Sequence, residues 1–379
     1  MACAQNLAGA HEQGVKVAFV YAGGRLGRDA QGPSDFFYGA RELAHKPGWD
    51  VQLVEADALP ADPLTGLLAG RLLRRLVPPR TSPDWFSRSR RILRELHECD
   101  AVVATSTEIS FGLAWWKKLR RLPQPLVGML CGAVNYPIGP ELRRWLTAQL
   151  LSVMRPVLFA DPERAELSRR FGLALEKIAV GWFGVDENFW TPPESSVERR
   201  GVLAVGNDGR RDYKTLVAAA RQLPDLSFTV LTKREAPVAL PSNVTWRRGD
   251  WREQAVSDVD LRSLYQSAAC VVVPLLDSPQ PSGQSVAMQA MMCGASVVHT
   301  ETAGWWGATV LHDDEQVVLV APEDTSALAA AVGKVAASGR YTSGARNALV
   351  SARWTSAGFA DRISTLIENH AKARAEIRN

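Results

Sequence analysis

The feature that most constrains this chain is a recurring run of consecutive aliphatic and β-branched residues. "VKVAFVYAGG", "DVQLVEA", "DAVVATS", "PLVGMLCG" and "RPVLFAD" lie in the first half; "RGVLAVGND", "LSFTVLTK", "ACVVVPLL" and "ASVVHTE" lie in the second. Most are continuous rather than alternating, which means strands covered on both faces. Such strands belong to parallel sheets with helical crossovers. Helical patterns fall between the runs, among them "DYKTLVAAARQLP", "DVDLRSLYQSA", "GQSVAMQAMMCG" and "DTSALAAAVGKVAASG". The whole pattern occurs twice, separated by the aperiodic, Pro- and Ser-bearing segment "DENFWTPPESSVERRG" at 186–201. The predicted class is α/β: two doubly wound, Rossmann-like domains facing a cleft, over 1–186 and 187–354, joined near 187–200.

Length and composition agree with two cores. The chain has 379 residues, 46% of them hydrophobic and 22% charged. A net charge of +4 is too mild to imply a nucleic-acid partner. The five cysteines (Cys3, Cys99, Cys131, Cys270, Cys293) show no CxxC spacing and are expected to be buried, reduced thiols. That fits a cytoplasmic protein. No secretory leader is read in "MACAQNLAGAHEQG", and no run is long enough for a membrane span.

In a doubly wound domain, ligands bind beyond the carboxyl ends of the strands. Three polar clusters fall there in the second half. "DSPQPSGQS" is a strand-to-helix turn, where Ser282, Gly283, Gln284 and Ser285 would offer backbone N–H groups at the positive end of a helix dipole. Alternatively, Ser282 or Ser285 simply caps that helix. "AVGNDGRRDYKTL" places Gly206, Arg210 and Arg211 before a helix that Asp212 could cap. Arginine's planar fork suits phosphate oxygens, though a solvated pair reads equally well from this stretch alone. "FTVLTKREAP" ends a strand in Thr232, Lys233 and Arg234. Together the clusters describe a diphosphate pocket in which cations and a helix dipole, not a metal, stabilise the charge. No Walker motif GxxxxGK[ST] is present, and "AGGRLG" at 22–27 is not a GxGxxG. Glu55 alone stands at the end of the second strand, so a nicotinamide site has little support.

The order "GWFGVDENFW", "AVGNDGRRDYKTLVAA" and "VVVPLLDSPQPSGQSVAMQAMMCGASVVHTETAGWWG" resembles the GT-B glycosyltransferases of the retaining, family-4 type, best over about 178–335. That family carries two glutamates after the "VVVP" strand, the second on the donor ribose. Here Gln289 takes the second position and Pro281 the first, leaving Asp277 as the nearest carboxylate. The resemblance places Arg211 at the family's diphosphate lysine and Asn207 at its arginine, with Arg210 as the substitute for that role. Gly23 and Gly24 match its first glycine loop. "GMLCGAVNYP" lacks the family's histidine, with Asn135 as the positional candidate. The resemblance implies a hexosyltransferase-like enzyme using a nucleoside-diphosphate-sugar donor, with no cofactor and no metal. Retention would proceed on the front face without a protein nucleophile, so that Arg211, Lys233, Asp277 and Asn135 position and stabilise charge. It also implies that 355–379 packs back on the first domain. The alternatives are a non-catalytic nucleotide-sugar-binding protein on the same scaffold and a nucleotide-sugar 2-epimerase.

The first domain is expected to hold the acceptor, whether a glycan, a lipid-linked sugar or a small molecule. Residues 64–121 carry twelve Lys or Arg against five Asp or Glu. "LTGLLAGRLLRRLVPPR" sets Leu64, Leu67, Leu68 and Leu72 beside Arg71, Arg74 and Arg75, and "FGLAWWKKLRRL" adds Trp115 and Trp116. The stretch reads either as core-facing leucines with a solvated basic face, as an anionic-acceptor site, or as a peripheral contact with an anionic membrane.

Overall fold

The computed structural model describes residues 4–6, 14–27, 32–56, 83–135, 139–249, 255–338 and 343–378. The chain divides into two compact units, one of 1–30, 34–182 and 356–379, the other of 183–355 with 31–33. The Leu64–Arg80 part of the basic stretch lies outside the described residues.

The first unit is built on β1 (Ala4–Asn6), β2 (Val15–Tyr21), β3 (Trp49–Glu55), β4 (Ala101–Ala104), β5 (Leu126–Met129), β6 (Arg155–Leu158) and β7 (Ala179–Val180). The sheet order is β1-β3-β2-β4-β5-β6-β7. Only β1 runs antiparallel to its neighbour; the other pairs are parallel. All four residues of β4 and of β5 are buried, as continuous apolar runs require. Ile92 and Leu96 of the helix Pro83–His97 pack with Ile109 and Phe111 of the helix Thr107–Lys118 in one core. The helix Ser356–Arg378 joins this unit. Its Phe359 ring stacks on Phe159 at 6.2 Å, and Arg362 donates to the carbonyls of Gly181 and Trp182 at 2.6 and 2.8 Å.

The second unit contains β8 (Val202–Val205), β9 (Phe228–Leu231), β10 (Val244–Arg247), β11 (Cys270–Val273), β12 (Val297–Thr300) and β13 (Val318–Val320). Every pair is parallel, in the order β10-β9-β8-β11-β12-β13. The chain winds outward in one direction from β8 and in the other from β11. The boundary between those two strands is the topological switch point, where such sheets bind ligands.

Four cysteines are described, and all are free thiols. Cys99, Cys270 and Cys293 are buried as expected, but Cys131 is exposed. It lies just past the carboxyl end of β5, in a loop rather than within the strand, which corrects the sequence expectation.

Candidate functional site

The loops that leave β8 and β11 are laced together. Asp212 N–H donates to Pro274 O at 3.0 Å, and Leu276 N–H donates to Arg210 O at 2.9 Å. Arg211 and Leu275 form an isolated antiparallel bridge between them. Leu275 N–H in turn donates to the hydroxyl of Thr300, the last residue of β12. The backbone of Arg211 is thus fixed across the switch point.

The helix Tyr213–Arg221 begins at Asp212, whose carboxylate accepts from Thr215 N–H at 3.0 Å. Tyr213 donates its hydroxyl to Gly206 O at 2.6 Å, holding the turn after β8. Gly206 has φ +156°, and a Cβ there would stand 1.9 Å from Arg211 Nε. The turn must therefore be glycine for the guanidinium to pack against the backbone.

The second glycine turn closes the other side. Gly283 precedes the helix Gln284–Met292 with φ +74°, and its Cβ would lie 2.8 Å from Arg211 Nη1 and 3.5 Å from His299 Nε2. Eight of the nine residues of that helix are buried, so it is sealed into the core along its length. No side chain caps its N-terminus. Neither serine fills that role; Ser282 Oγ is buried with no hydrogen-bond partner. The first turn of such a helix presents N–H groups and a positive dipole end.

Arg211 is 5% exposed. Its Nε lies 3.1 Å from Asp208 Oδ2, an ion pair that lacks hydrogen-bond geometry. Its Nη1 has no hydrogen-bond partner. His299 Nδ1 lies 2.7 Å from Thr300 O, which fixes a proton on that nitrogen in the neutral ring. Burial pushes the imidazole down to about 3. The carbonyls of Thr300 and Ser282 favour its proton and the Arg211 charge opposes it, but burial dominates. Although the Ser282 carbonyl lies near the ring, His299 Nε2 makes no hydrogen bond. Arg211 Nη1, Ser282 Oγ and His299 Nε2 therefore combine buried polarity with absent partners around one helix N-terminus. Buried polar atoms are normally satisfied, and leaving each unpaired costs about 1–3 kcal/mol. An anion with several acceptor oxygens would satisfy the arginine and the serine together.

The remaining expected residues take varied positions. Thr232 Oγ1 donates to Asn207 Oδ1 at 3.2 Å, and Lys233 N–H donates to the same oxygen at 2.6 Å. Asn207 thereby joins the loops after β8 and β9, and the Lys233 side chain is exposed. Arg210 is half-buried, with its N–H on Asp208 Oδ1 at 2.9 Å. Asp277 Oδ1 accepts from Ser278 N–H and Ala303 N–H at 2.9 and 2.8 Å, tying the loops after β11 and β12. Gln284 and Gln289 are buried and Ser285 is half-buried.

Gly23, Gly24 and Asn135 belong to the first unit. Gly24 adopts φ +85° in the turn after β2, and Asn135 closes the 3-10 turn Ala133–Asn135 after β5. Glu55, at the end of β3, accepts from Arg25 N–H and, at 2.7 Å, from Leu26 N–H. That carboxylate braces the glycine loop.

Two participants gave little signal in the sequence. Asp208 looks like an ordinary turn residue. His299 had one signal, a lone imidazole in the strand "SVVHT". A cavity of about 600 Å³ adjoins the site, lined by Arg211, Asp212, Lys214, Arg234, Glu235 and Glu323 among others. Ser282, Gly283 and His299 do not line it. The unpartnered atoms, not the cavity, define the candidate anion site. Among the described residues no cluster of His, Cys, Asp or Glu is arranged to hold a metal ion.

Two doubly wound sheets of this kind constitute the GT-B fold, and solved structures share it. Sucrose-phosphate synthase from Thermosynechococcus elongatus matches with a TM-score of 0.61 and 19% identity, covering 96% of this chain and 98% of that one. HepE from Anabaena, solved in complex with UDP and glucose, matches with a TM-score of 0.67 and 15% identity over 94% of this chain and 100% of that one. A UDP-forming α,α-trehalose-phosphate synthase from Burkholderia vietnamiensis matches with a TM-score of 0.62 and 11% identity, covering 96% and 99%. The family model for group 1 glycosyl transferases matches residues 200–338, which hold the whole switch-point site of the second unit. The search of curated proteins returned no match.

Proposed function

We propose that this protein is a glycosyltransferase that moves a sugar from a nucleoside-diphosphate-sugar to an acceptor, with retention at the anomeric carbon. The observation that carries the reading is the buried, half-partnered Arg211 between two glycine turns at an uncapped helix N-terminus. A guanidinium held this way is poised for a diphosphate. Negative charge grows on the leaving phosphate as the glycosidic bond breaks. Fixed donors then stabilise it without reorganising, which is worth more in a dry site than in water. The family model over the same segment supports the assignment, as do fold relatives of which one is solved with UDP-glucose and another is UDP-forming.

In this reading Arg211 and the first turn of Gln284–Met292 bind the diphosphate. Ser282 donates its hydroxyl to a phosphate oxygen. His299 stays neutral and holds the guanidinium's surroundings free of a competing cation. Lys233 sits on the adjoining β9 loop as a second, mobile charge. Gln289 supplies an amide where a ribose hydroxyl would be read. Asp277 and, in the first unit, Asn135 are positioning candidates for the sugar and acceptor. No residue needs to act as nucleophile, because the leaving phosphate can take the acceptor's proton. We further propose that turnover is independent of divalent metal and occurs in the cytoplasm.

A panel of UDP-, GDP-, ADP- and TDP-sugars tests this. Release of the nucleoside diphosphate, undiminished by EDTA, is the expected result. Sugar isomerisation without release would instead identify an epimerase, and binding without turnover a scaffold protein. Loss of activity in EDTA, restored by magnesium, would refute metal independence.

A further inference from the structure

The first unit carries a surface that its own core does not use. The helix Glu141–Leu151 buries Thr147, Leu150 and Leu151 on one side. On the opposite side Leu142 and Trp145 are 53% and 57% exposed. Leu142, Trp145 and Gln149 follow one another at helical spacings of three and four, so they form one stripe. Gln149 Oε1 accepts from Lys118 Nζ at 2.7 Å, which connects that stripe to the end of the helix Thr107–Lys118.

At that end the chain continues through Leu119, Arg120 and Arg121. Leu119 is 53% exposed. Arg121 N–H donates to Trp116 O at 2.8 Å and Arg120 N–H to Lys117 O at 3.0 Å, the paired closure of a Schellman turn. The turn requires a left-handed residue, usually glycine, and here Arg120 supplies it at φ +58°. A long cation thus occupies a position the backbone would give to glycine. Arg144, also exposed, adds a further cation to the neighbouring helix. Among the described residues no carboxylate pairs with Lys118, Arg120, Arg121 or Arg144, and Glu141 is the one acid of the helix Glu141–Leu151.

We propose that this surface docks the protein on an anionic phospholipid bilayer. Leu142 and Trp145 form a short exposed apolar stripe, and Leu119 stands among Lys118, Arg120 and Arg121 at the end of the neighbouring helix. A bilayer interface accepts indole rings at headgroup depth, while Lys and Arg stems lie along the apolar boundary and their charges meet lipid phosphates. The inference stands apart from the donor site, which belongs to the second unit. It also places the contact on 118–121 and 141–149, without recourse to Leu64–Arg80. No helix among the described residues is long and apolar enough to cross a membrane, so the contact is a peripheral one.

The test is co-sedimentation of the full chain with vesicles of equimolar phosphatidylglycerol and phosphatidylcholine, against vesicles of phosphatidylcholine alone. Binding is expected only to the anionic vesicles, with release in molar salt. The triple variant Arg120→Gln/Arg121→Gln/Arg144→Gln should bind about 100-fold more weakly, and Trp145→Ser about 10-fold more weakly. These side chains are exposed, so circular dichroism and Tm should match the wild type. Equal binding to neutral vesicles, or a triple variant that binds like the wild type, would overturn the proposal. So would self-association abolished by Trp145→Ser in a protein that ignores both vesicles, which would assign the surface to a second copy.

Discussion

The two units end their central strands in opposite ways. After β2 in the first unit, the turn carrying Gly23 and Gly24 gives the N–H groups of Arg25 and Leu26 to Glu55 of its own sheet. Thr105, just beyond β4, donates its hydroxyl to Val20 O at 2.9 Å. The backbone donors of the glycine turn are thus taken up by the chain's own carboxylate. At the corresponding point of the second unit, Arg211, Ser282 and His299 retain buried atoms without partners. One turn is braced by a carboxylate of the chain; at the other, the proposed function assigns the unpartnered atoms to an anion from outside.

The largest effect should come from disturbing that reserve without touching a charge. Gly206→Ala would set a methyl where Arg211 Nε now packs, so the guanidinium must leave. We expect kcat/KM with the cognate donor to fall about 100-fold, on the order of 3 kcal/mol. Activity within a few-fold of the wild type would mean that Arg211 has no need of its present seat.

A second test concerns a buried acid of the first unit. Glu163 lies in the first turn of the helix Asp161–Phe171, and burial pushes its carboxyl up to about 8. The amides of Phe159 and Gly132 are near enough to favour the ionised form, yet neither makes a hydrogen bond to its oxygens. The folded group keeps its proton up to about 8, whereas in the unfolded chain it ionises near 4.5. Between those values the unfolded state binds fewer protons, so stability falls as pH rises through the window. Glu163→Gln should remove that slope, raising stability at pH 8 while leaving pH 4 nearly unchanged. Thermal melts across this range that run parallel for both proteins would contradict it.

Glu55→Gln sharpens the contrast directly. An amide still accepts from the glycine loop but without charge, so the first unit should lose about 1.5 kcal/mol in chemical denaturation. Nucleoside-diphosphate affinity, a property of the second unit, should not change. A tenfold loss of affinity would show that the two edges do not act separately.

The smallest effect is expected at Gln289. A neutral amide to a hydroxyl contributes about 1 kcal/mol and is made equally in ground and transition states. Gln289→Ala should therefore raise KM several-fold with kcat nearly intact. Abolished turnover would move Gln289 into the chemistry.

The sheets were legible because continuous apolar runs have one structural explanation. "VVV" of β11 and "VVHT" of β12 can be buried on both faces only within a helix-covered parallel sheet. Arg211, Ser282 and Gly283 were legible because they follow strands directly. The partner relations were not. Nothing in "AVGND" tells that Asn207 would bridge to Thr232 and Lys233, or that Asp208 would stand beside Arg211. Those contacts depend on how two loops from distant strands meet. His299 was hidden for a related reason: an imidazole in an apolar strand reads as core until its neighbours, Arg211 and the Gly283 turn, are known. Burial of Cys131 was expected from its apolar neighbours, but the strand ends at Met129 and leaves it exposed.

The central claim is that Arg211 and the turn before Gln284–Met292 form the diphosphate site, and calorimetric titration of nucleoside diphosphates into the full chain and its Arg211→Ala variant tests it most directly. The account predicts one-to-one binding to the wild type that weakens about 100-fold in the variant, on the order of 3 kcal/mol, while the fold and Tm persist. Equal affinity for both proteins would contradict it, and the diphosphate would then have to bind elsewhere on the chain.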